Sequence, residues 1–449
     1  MHFELTEDTK KLLSLSVHNG LKAEAMLAGC YALILGLLFY SFGNFGFLNI
    51  FGLRREMQIA LSLPIFIYSL AFPRRLLNAL TEPVVIFVAL LFLSELALRQ
   101  NLIIAEDRFL SILVVGLLFS ISTRHSDIAL RTIITLAAIF SIMAIVQAVF
   151  IWYRPDLVPA LNAGYSSMTQ AAKLEVHHPI GYLGFGLPIV FSGHDFARFE
   201  SFAAEPSVVV YSFFVPGILA LSYKGPMRLI GMPILFFSIV LSQSGTIWLS
   251  ILFAIAAYPL FYLAKHRTPL LAILPFLIAI GFFVFIMNFD IPKLIDYTEN
   301  LINPIAKEFT SLSKYRSAMA RFASWNESLT LAKDYYIGTP FNMSSTTGLL
   351  LYSYLSAGIA GLLALSIVLY KVFKLAVHSF RMSSGIARLA PLLVYGTLVQ
   401  VMIFSDYGWT GVSGFIMLSL VILRLRIISS NQPSSTKSSV LLHKKSIAD

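Results

Sequence analysis

The chain has 449 residues, of which 57% are hydrophobic and only 12% charged, with a formal net charge of +10. Soluble domains carry about 25% charged residues, so this composition excludes an ordinary soluble enzyme and predicts an all-α protein that crosses a membrane many times. The sole cysteine, Cys30, lies inside an apolar run, which excludes an intramolecular disulfide and a thiolate metal site.

Residues 1–24 form a polar segment with Lys10, Lys11 and Lys22, and with the first span they read as a signal-anchor rather than a cleavable signal. Apolar runs of roughly 17 to 25 residues are expected to span. An N-terminal bundle, 25–152, holds such runs near 25–43, 57–72, 83–98, 109–122 and 128–152. Residues 153–204 follow as a long loop, in which 180–193 carries three glycines and a proline within its first nine residues and reads as a re-entrant or interfacial piece. Central spans lie near 205–223, 229–241, 246–264 and 269–288, and a second long loop covers 289–348. C-terminal spans near 349–370, 389–404 and 411–427 bring the total to about twelve. The Ser-rich basic tail, 428–449, reads as disordered.

Basic residues orient these spans. Arg74, Arg75, Arg124, Arg131, Lys224, Arg228, Lys265, Arg267, Lys371, Lys374, Arg381, Arg388 and the tail from Arg424 all fall on one side, the cytoplasmic one by the positive-inside rule. The net charge is therefore a topology signal and makes no case for nucleic-acid binding. Both long loops fall on the outer side, where loops of this size are usually functional.

Residues 198–207, RFESFAAEPS, precede the sixth span. Pro206 suits a first helical position and Glu205 falls at its cap, where unpaired N–H groups and the helix dipole receive anions. In the second loop Lys314, Ala318, Arg321, Trp325, Ser328 and Ala332 recur at helical spacing on one face. Tyr335, Tyr336, Gly338 and Pro340 then break that helix. The outer side thus gathers Arg198, Glu205, Lys314, Arg316 and Arg321 with the aromatics Phe199, Phe202, Tyr211, Tyr315, Trp325 and Tyr336. Arginine forks match phosphate oxygens, aromatic faces suit sugar C–H faces, and a carboxylate orients or deprotonates a hydroxyl. Transfer of a sugar from a lipid diphosphate to a hydroxyl uses all three.

The same residues carry a resemblance. R-x-x-S-F-x-x-E-P-S at 198–207, R-F-x-x-W-x-x-S-L at 321–329, G-x-P at 338–340, S-A-G-I-A-G-L at 356–362 and the serine-rich turn at 241–250 together resemble the Wzy-type O-antigen and exopolysaccharide polymerases, over roughly residues 195–365. The resemblance implies an inverting glycosyltransferase of the bacterial inner membrane. It joins undecaprenyl-diphosphate-linked repeat units at the periplasmic face without metal or cofactor, alongside a chain-length regulator and a flippase. By matching position Arg198 and Arg321 become diphosphate-binding residues and Glu205 the loop glutamate; Lys314, Arg316, Trp325, Phe202 and Tyr211, from their place among the outer-side residues, are expected to line the substrate. The related O-antigen ligases carry a His-Asn pair about eleven residues before the glycine matching Gly358. Here Ser344 to Thr347 stand there, and no histidine occurs between His266 and His378, which counts against the ligase and leaves the general base unassigned.

Plainer readings stand beside these. Arg198 and Glu205 can be a loop-ordering ion pair, and a carboxylate at a helix start is a weak base, which suits Glu205 to orientation. Trp325 can be an interfacial anchor, and Lys314 and Arg316 can simply be solvated. Adjacent His177 and His178 point apart and lack a third ligand, so they do not make a metal site. Glu95 and Arg99, one turn apart near the outer end of the third span, read as a helix-end ion pair. The rival class is a transporter, such as a lipid-linked oligosaccharide flippase, which would place its polar site at mid-membrane on broken helices.

Overall fold

Inside lipid, each unpaired backbone group costs several kcal/mol, so apolar runs of this length have to be helical. The computed structural model describes residues 73–121, 123–153, 209–242, 244–263, 268–288, 348–404 and 411–430, together with 189–191, 194–196, most of 325–340 and positions 36, 63 and 409. In chain order the helices are α1 (Pro73–Leu80), α2 (Pro83–Ser94), α3 (Leu102–Ser120), α4 (Thr123–Tyr153), α5 (Val215–Leu221), α6 (Pro226–Phe236), α7 (Gly245–Leu263), α8 (Thr268–Asn288), α9 (Leu349–Met382), α10 (Leu389–Ile403) and α11 (Val412–Ser430). A helix stands at every span expected from residue 83 onward, and the runs 25–43 and 57–72 lie outside the described residues. Five described helices are long and apolar enough to cross a membrane, and the bent pair Pro73–Leu80 and Pro83–Arg99 passes the same test only when its two arms are taken as one span. Val210–Leu221, Pro226–Leu241 and Thr268–Gly281 are apolar but shorter. The protein is therefore an all-α, multi-pass architecture. Its one described pairing of strands is a small hairpin, β1 (Ile189–Phe191) against β2 (His194–Phe196), which makes the end of the 180–193 segment strand.

Two boundaries move for physical reasons. α3 starts seven residues before the expected 109, because the Asn101 side chain caps it by accepting from the Ile104 N–H at 3.2 Å. Glu106, Asp107 and Arg108 lower the hydropathy there without breaking the helix. α9 runs past 370 to Met382, since its lysines end the apolar stretch but are good helix formers. The bend of 69° between α1 and α2 follows from Pro83, which holds the preceding Glu82 in an extended conformation at φ −65°, ψ 133°.

α10 and α11 sit at the centre, with 72% and 78% of their apolar windows buried against 33% for α7. α11 is apolar all round, as a fully enclosed helix must be, and every residue from Val412 to Leu425 is buried. α9 packs on α2, α8, α10 and α11, and α10 packs closely on α7. That approach uses a small residue: a Cβ on Gly396 would lie 2.7 Å from the Ala254 nitrogen. Several buried hydroxyls are satisfied within their own helices, as Ser250 to the Thr246 carbonyl at 2.9 Å, Ser353 to Leu349 at 2.8 Å and Ser419 to Phe415 at 2.7 Å.

Four of the basic residues assigned to one side, Arg131, Lys371, Arg424 and Arg426, pair with carboxylates at one end of the bundle. Glu82 accepts from Lys371 and Arg426, each at 2.8 Å. Burial works to raise the Glu82 pKa, but the hydrogen bonds and charges of Arg426 and Lys371 hold it below the usual carboxylate range. Asp127 binds Arg131 at 2.9 Å, Arg424 at 3.1 Å and the Tyr223 hydroxyl at 2.5 Å. Arg424 also lies 3.5 Å over the Tyr223 ring. Burial pushes the Tyr223 phenol up, so it remains a donor.

Candidate functional site

At the opposite end, three helices lose α-regularity. π-helical turns occupy Glu95–Arg99 after α2, Val210–Phe214 before α5 and Phe237–Leu241 after α6. Each inserts one residue per turn and re-aims the side chains beyond it, a device frequent at functional sites. The Val210–Phe214 turn begins five residues after Glu205 and packs on the Phe237–Leu241 turn, with the Phe213 and Phe237 rings edge-on at 5.1 Å. After the Glu95–Arg99 turn the chain reverses within two residues, Gln100 taking a left-handed φ of 52° before Asn101 caps α3.

Among the described residues at this end, that first turn carries a dense polar cluster. Arg99 and Glu95 pair at 2.7 Å with side chains only 3% and 2% exposed. Separating two charges that are this buried is costly: removing one partner typically loses about 3–5 kcal/mol, because the other stays uncompensated. Arg99 then reaches across to two other segments. Its Nε donates to the Thr339 carbonyl at 3.2 Å, and its second terminal nitrogen lies 3.4 Å from both Thr339 Oγ1 and the Leu355 carbonyl and 3.5 Å from Ser356 Oγ.

One of those acceptors, the Leu355 carbonyl, is free because α9 is broken. Ala357 (φ −133°, ψ 21°) and Gly358 (φ 63°, ψ −153°) leave helical geometry, which frees the carbonyls before the break. In lipid such groups need partners, and residues 335–340 supply them. The Thr339 N–H donates to the Leu355 carbonyl at 2.7 Å, and the Ile359 N–H donates to the Tyr336 carbonyl at 3.1 Å. The Ser94 hydroxyl donates to the Ser356 carbonyl. Close approach needs glycine on both sides: a Cβ on Gly338 would lie 2.8 Å from the Ser356 oxygen, and one on Gly358 would lie 2.5 Å from the Ile337 carbonyl carbon. The G-x-P and S-A-G segments, eighteen positions apart in sequence, thus form a single joint.

Around it lie groups that sequence reasoning passed over. Arg108 is buried in α3, donates to the Tyr352 hydroxyl at 3.0 Å and sits 5.6 Å over the Phe415 ring. Arg99, Thr339, Ser356 and Tyr352 were likewise not singled out as site residues; the one signal was the i, i+4 spacing of Glu95 and Arg99 inside an apolar run. Glu95 Oε2 is buried and has no hydrogen-bond partner among the described residues.

Of the sequence-derived candidates, Trp325 and Tyr211 are described. Trp325 lies in the expected helix and on its expected face with Ser328, and that face turns inward. Trp325 is 4% exposed with its ring tilted on Phe404 at 5.7 Å, the geometry of an anchor for the outer loop. Tyr211 is buried in its π turn with its ring edge-on to Trp409 at 6.2 Å. Residues 335–340 leave the helix as expected. Arg198, Phe199, Phe202, Glu205, Lys314, Tyr315, Arg316 and Arg321 lie outside the described residues. Compared with protein-family models, curated proteins and solved structures, the chain matches none.

Proposed function

We propose that the protein is a polysaccharide polymerase of the bacterial inner membrane, an inverting glycosyltransferase acting on lipid-diphosphate-linked repeat units at the periplasmic face. The acceptor hydroxyl oxygen attacks the anomeric carbon, the bond from that carbon to the diphosphate oxygen breaks, the diphosphate leaves with the electron pair, and the hydroxyl proton passes to the medium. Arg198 and Arg321 stabilise the charge growing on the diphosphate, and Glu205 orients the acceptor. Lys314, Arg316 and Phe202 line the substrate, while Trp325 and Tyr211 support that surface from beneath.

One observation carries the reading: two of the motif elements on which the resemblance rests, at 338–340 and 356–362, pack together at the end of the bundle away from the basic cluster. A lipid-linked oligosaccharide flippase is the second reading, and the break in α9 favours it, since transporters site their chemistry on discontinuous helices. The break here is filled by the protein's own backbone, which leaves the enzyme reading ahead. The test is to incubate the purified full chain with an undecaprenyl-diphosphate-linked repeat unit, without nucleotide sugar or metal, beside Arg321→Ala. A ladder of longer glycans in the wild type alone is expected; lipid movement across vesicles without a ladder would establish the transporter instead.

A further inference from the structure

We propose that Arg99 is a positioning residue: it pins residues 335–340 as a strap into the break of α9 and so fixes the outer loop that ends in that strap. The hold on this strap is almost wholly polar. Tyr336 and Ile337 are 65% and 76% exposed, so apolar burial contributes little there. Gly338 and Thr339 face inward, and Thr339 brings a hydroxyl and a main-chain carbonyl to the same guanidinium. Arg99 spends its donors on Glu95, Thr339, Leu355 and Ser356, three chain segments in all, and has no fork left over for a ligand. A group so fully engaged with its own protein is a pin rather than a binding residue.

The pin matters because of what precedes the strap. The descending limb of the outer loop is held at Trp325 against Phe404, at the Ala332 carbonyl by the Tyr354 hydroxyl at 3.2 Å, and at Thr339 by Arg99. Arg321 stands four positions before Trp325 in the sequence. On the proposed polymerase reading, on which this role rests, Arg99 therefore sets where Arg321 meets the diphosphate. Lysine is a poor substitute, since an ammonium cannot span acceptors arranged around a planar fork.

The experiment uses the full chain in membrane vesicles with Cys30→Ser. Thr339→Cys, buried in the joint, reports strap release through its rate of labelling by a membrane-impermeant maleimide. Arg99→Ala is expected to speed that labelling by about tenfold or more, as opening of a joint held by a few hydrogen bonds should. In parallel, Tyr336→Cys with Ile359→Cys places a disulfide where those main chains are hydrogen-bonded. Arg99→Ala should lose polymer when the pair is reduced and regain it on oxidation, a rescue that neither a chemical role nor general destabilisation allows. Unchanged labelling, or faster labelling without rescue by the disulfide, overturns the proposal. Should Arg99→Ala fail to reach the membrane, Arg99→Lys is read by the same two measurements. If the wild type makes no polymer the polymerase reading fails, and the labelling contrast alone then decides whether Arg99 pins the strap.

Discussion

Substituting Gly358 by alanine tests the joint without touching a charge. Gly358 sits at φ 63°, where a Cβ costs about 1–2 kcal/mol. That Cβ would also lie 2.5 Å from the Ile337 carbonyl carbon and 2.7 Å from its Cα, both backbone atoms. Reaching an ordinary carbon contact of about 3.5 Å moves the strap outward by roughly 1 Å. A shift of that size takes the Thr339-to-Leu355 and Ile359-to-Tyr336 hydrogen bonds, now 2.7 and 3.1 Å, out of range. Each is worth about 0.5–1.5 kcal/mol, so the total loss is about 2–5 kcal/mol. Gly385→Ala is the control, with a similar φ of 55° but nothing within 4 Å of the added carbon; it should lose only the conformational part, about 1–2 kcal/mol. Equilibrium unfolding by SDS titration in mixed micelles, followed through tryptophan fluorescence, measures both. Equal losses in the two variants would refute the account of a backbone-filled break.

Three further outcomes are expected. Because the Glu82 pKa is lowered by Arg426 and Lys371, its contribution to stability is complete above the ordinary carboxylate pKa and is lost as pH falls through the depressed one; Glu82→Gln should abolish this acid-side loss, about 1 kcal/mol for partly exposed pairs, in unfolding measured across pH. Tyr223→Phe should cost about 1.5–3 kcal/mol by removing a hydrogen bond to a carboxylate, and Tyr223→Leu about 0.5–2 kcal/mol more by also removing the ring beneath Arg424, both read by the same unfolding assay. In a Cys30→Ser chain, Ile337→Cys should react with an impermeant maleimide from the outer side of intact cells and Ile386→Cys only after permeabilisation; the reverse pattern would invert the orientation read from the basic residues.

Charge and hydropathy were legible because they act through averages over a whole run. Arg131, Lys371, Arg424 and Arg426, among the basic residues assigned to one side, do pair with Glu82 and Asp127, although neither acid was singled out as their partner. Glu95 and Arg99 were readable as a pair because four residues is one helical turn, and the pair forms. The π turns were not readable, since one inserted residue leaves composition untouched. Nor was the break in α9: residues 349–370 read as one uninterrupted apolar span, and a glycine in such a run is as consistent with close packing as with positive φ. Only the partner segment 335–340, brought in by folding, distinguishes the two. Trp325 shows the converse. Its helical face was read correctly, but periodicity does not say whether a face turns toward a substrate or toward Phe404.

The two ends of the bundle are held by different physics, and the difference bears on what each end can do. At the basic end, Arg131, Lys371 and Arg426 on flexible stems meet carboxylates in partly exposed pairs, where each contributes about 0–1 kcal/mol and is weakened by salt, while Arg424 on Asp127 is the buried exception. Such contacts tolerate small shifts of the helices they join. At the outer end the hold is a buried ion pair and main-chain hydrogen bonds across two glycines, which allow one register and little drift. Glycosyl transfer from a lipid diphosphate places the stricter demand on the outer end, because the attacking hydroxyl, the anomeric carbon and the departing oxygen must stay in line, and an error of about 1 Å can cost a hundredfold in rate. A flippase would need the opposite arrangement, a compliant outer face that opens and closes around its cargo. The rigid joint between α2, α9 and the 335–340 strap is therefore the structural feature that separates the two readings, and the disulfide between positions 336 and 359 probes it directly: a polymerase keeps working with that joint tied shut, whereas a transporter whose gate lies there does not.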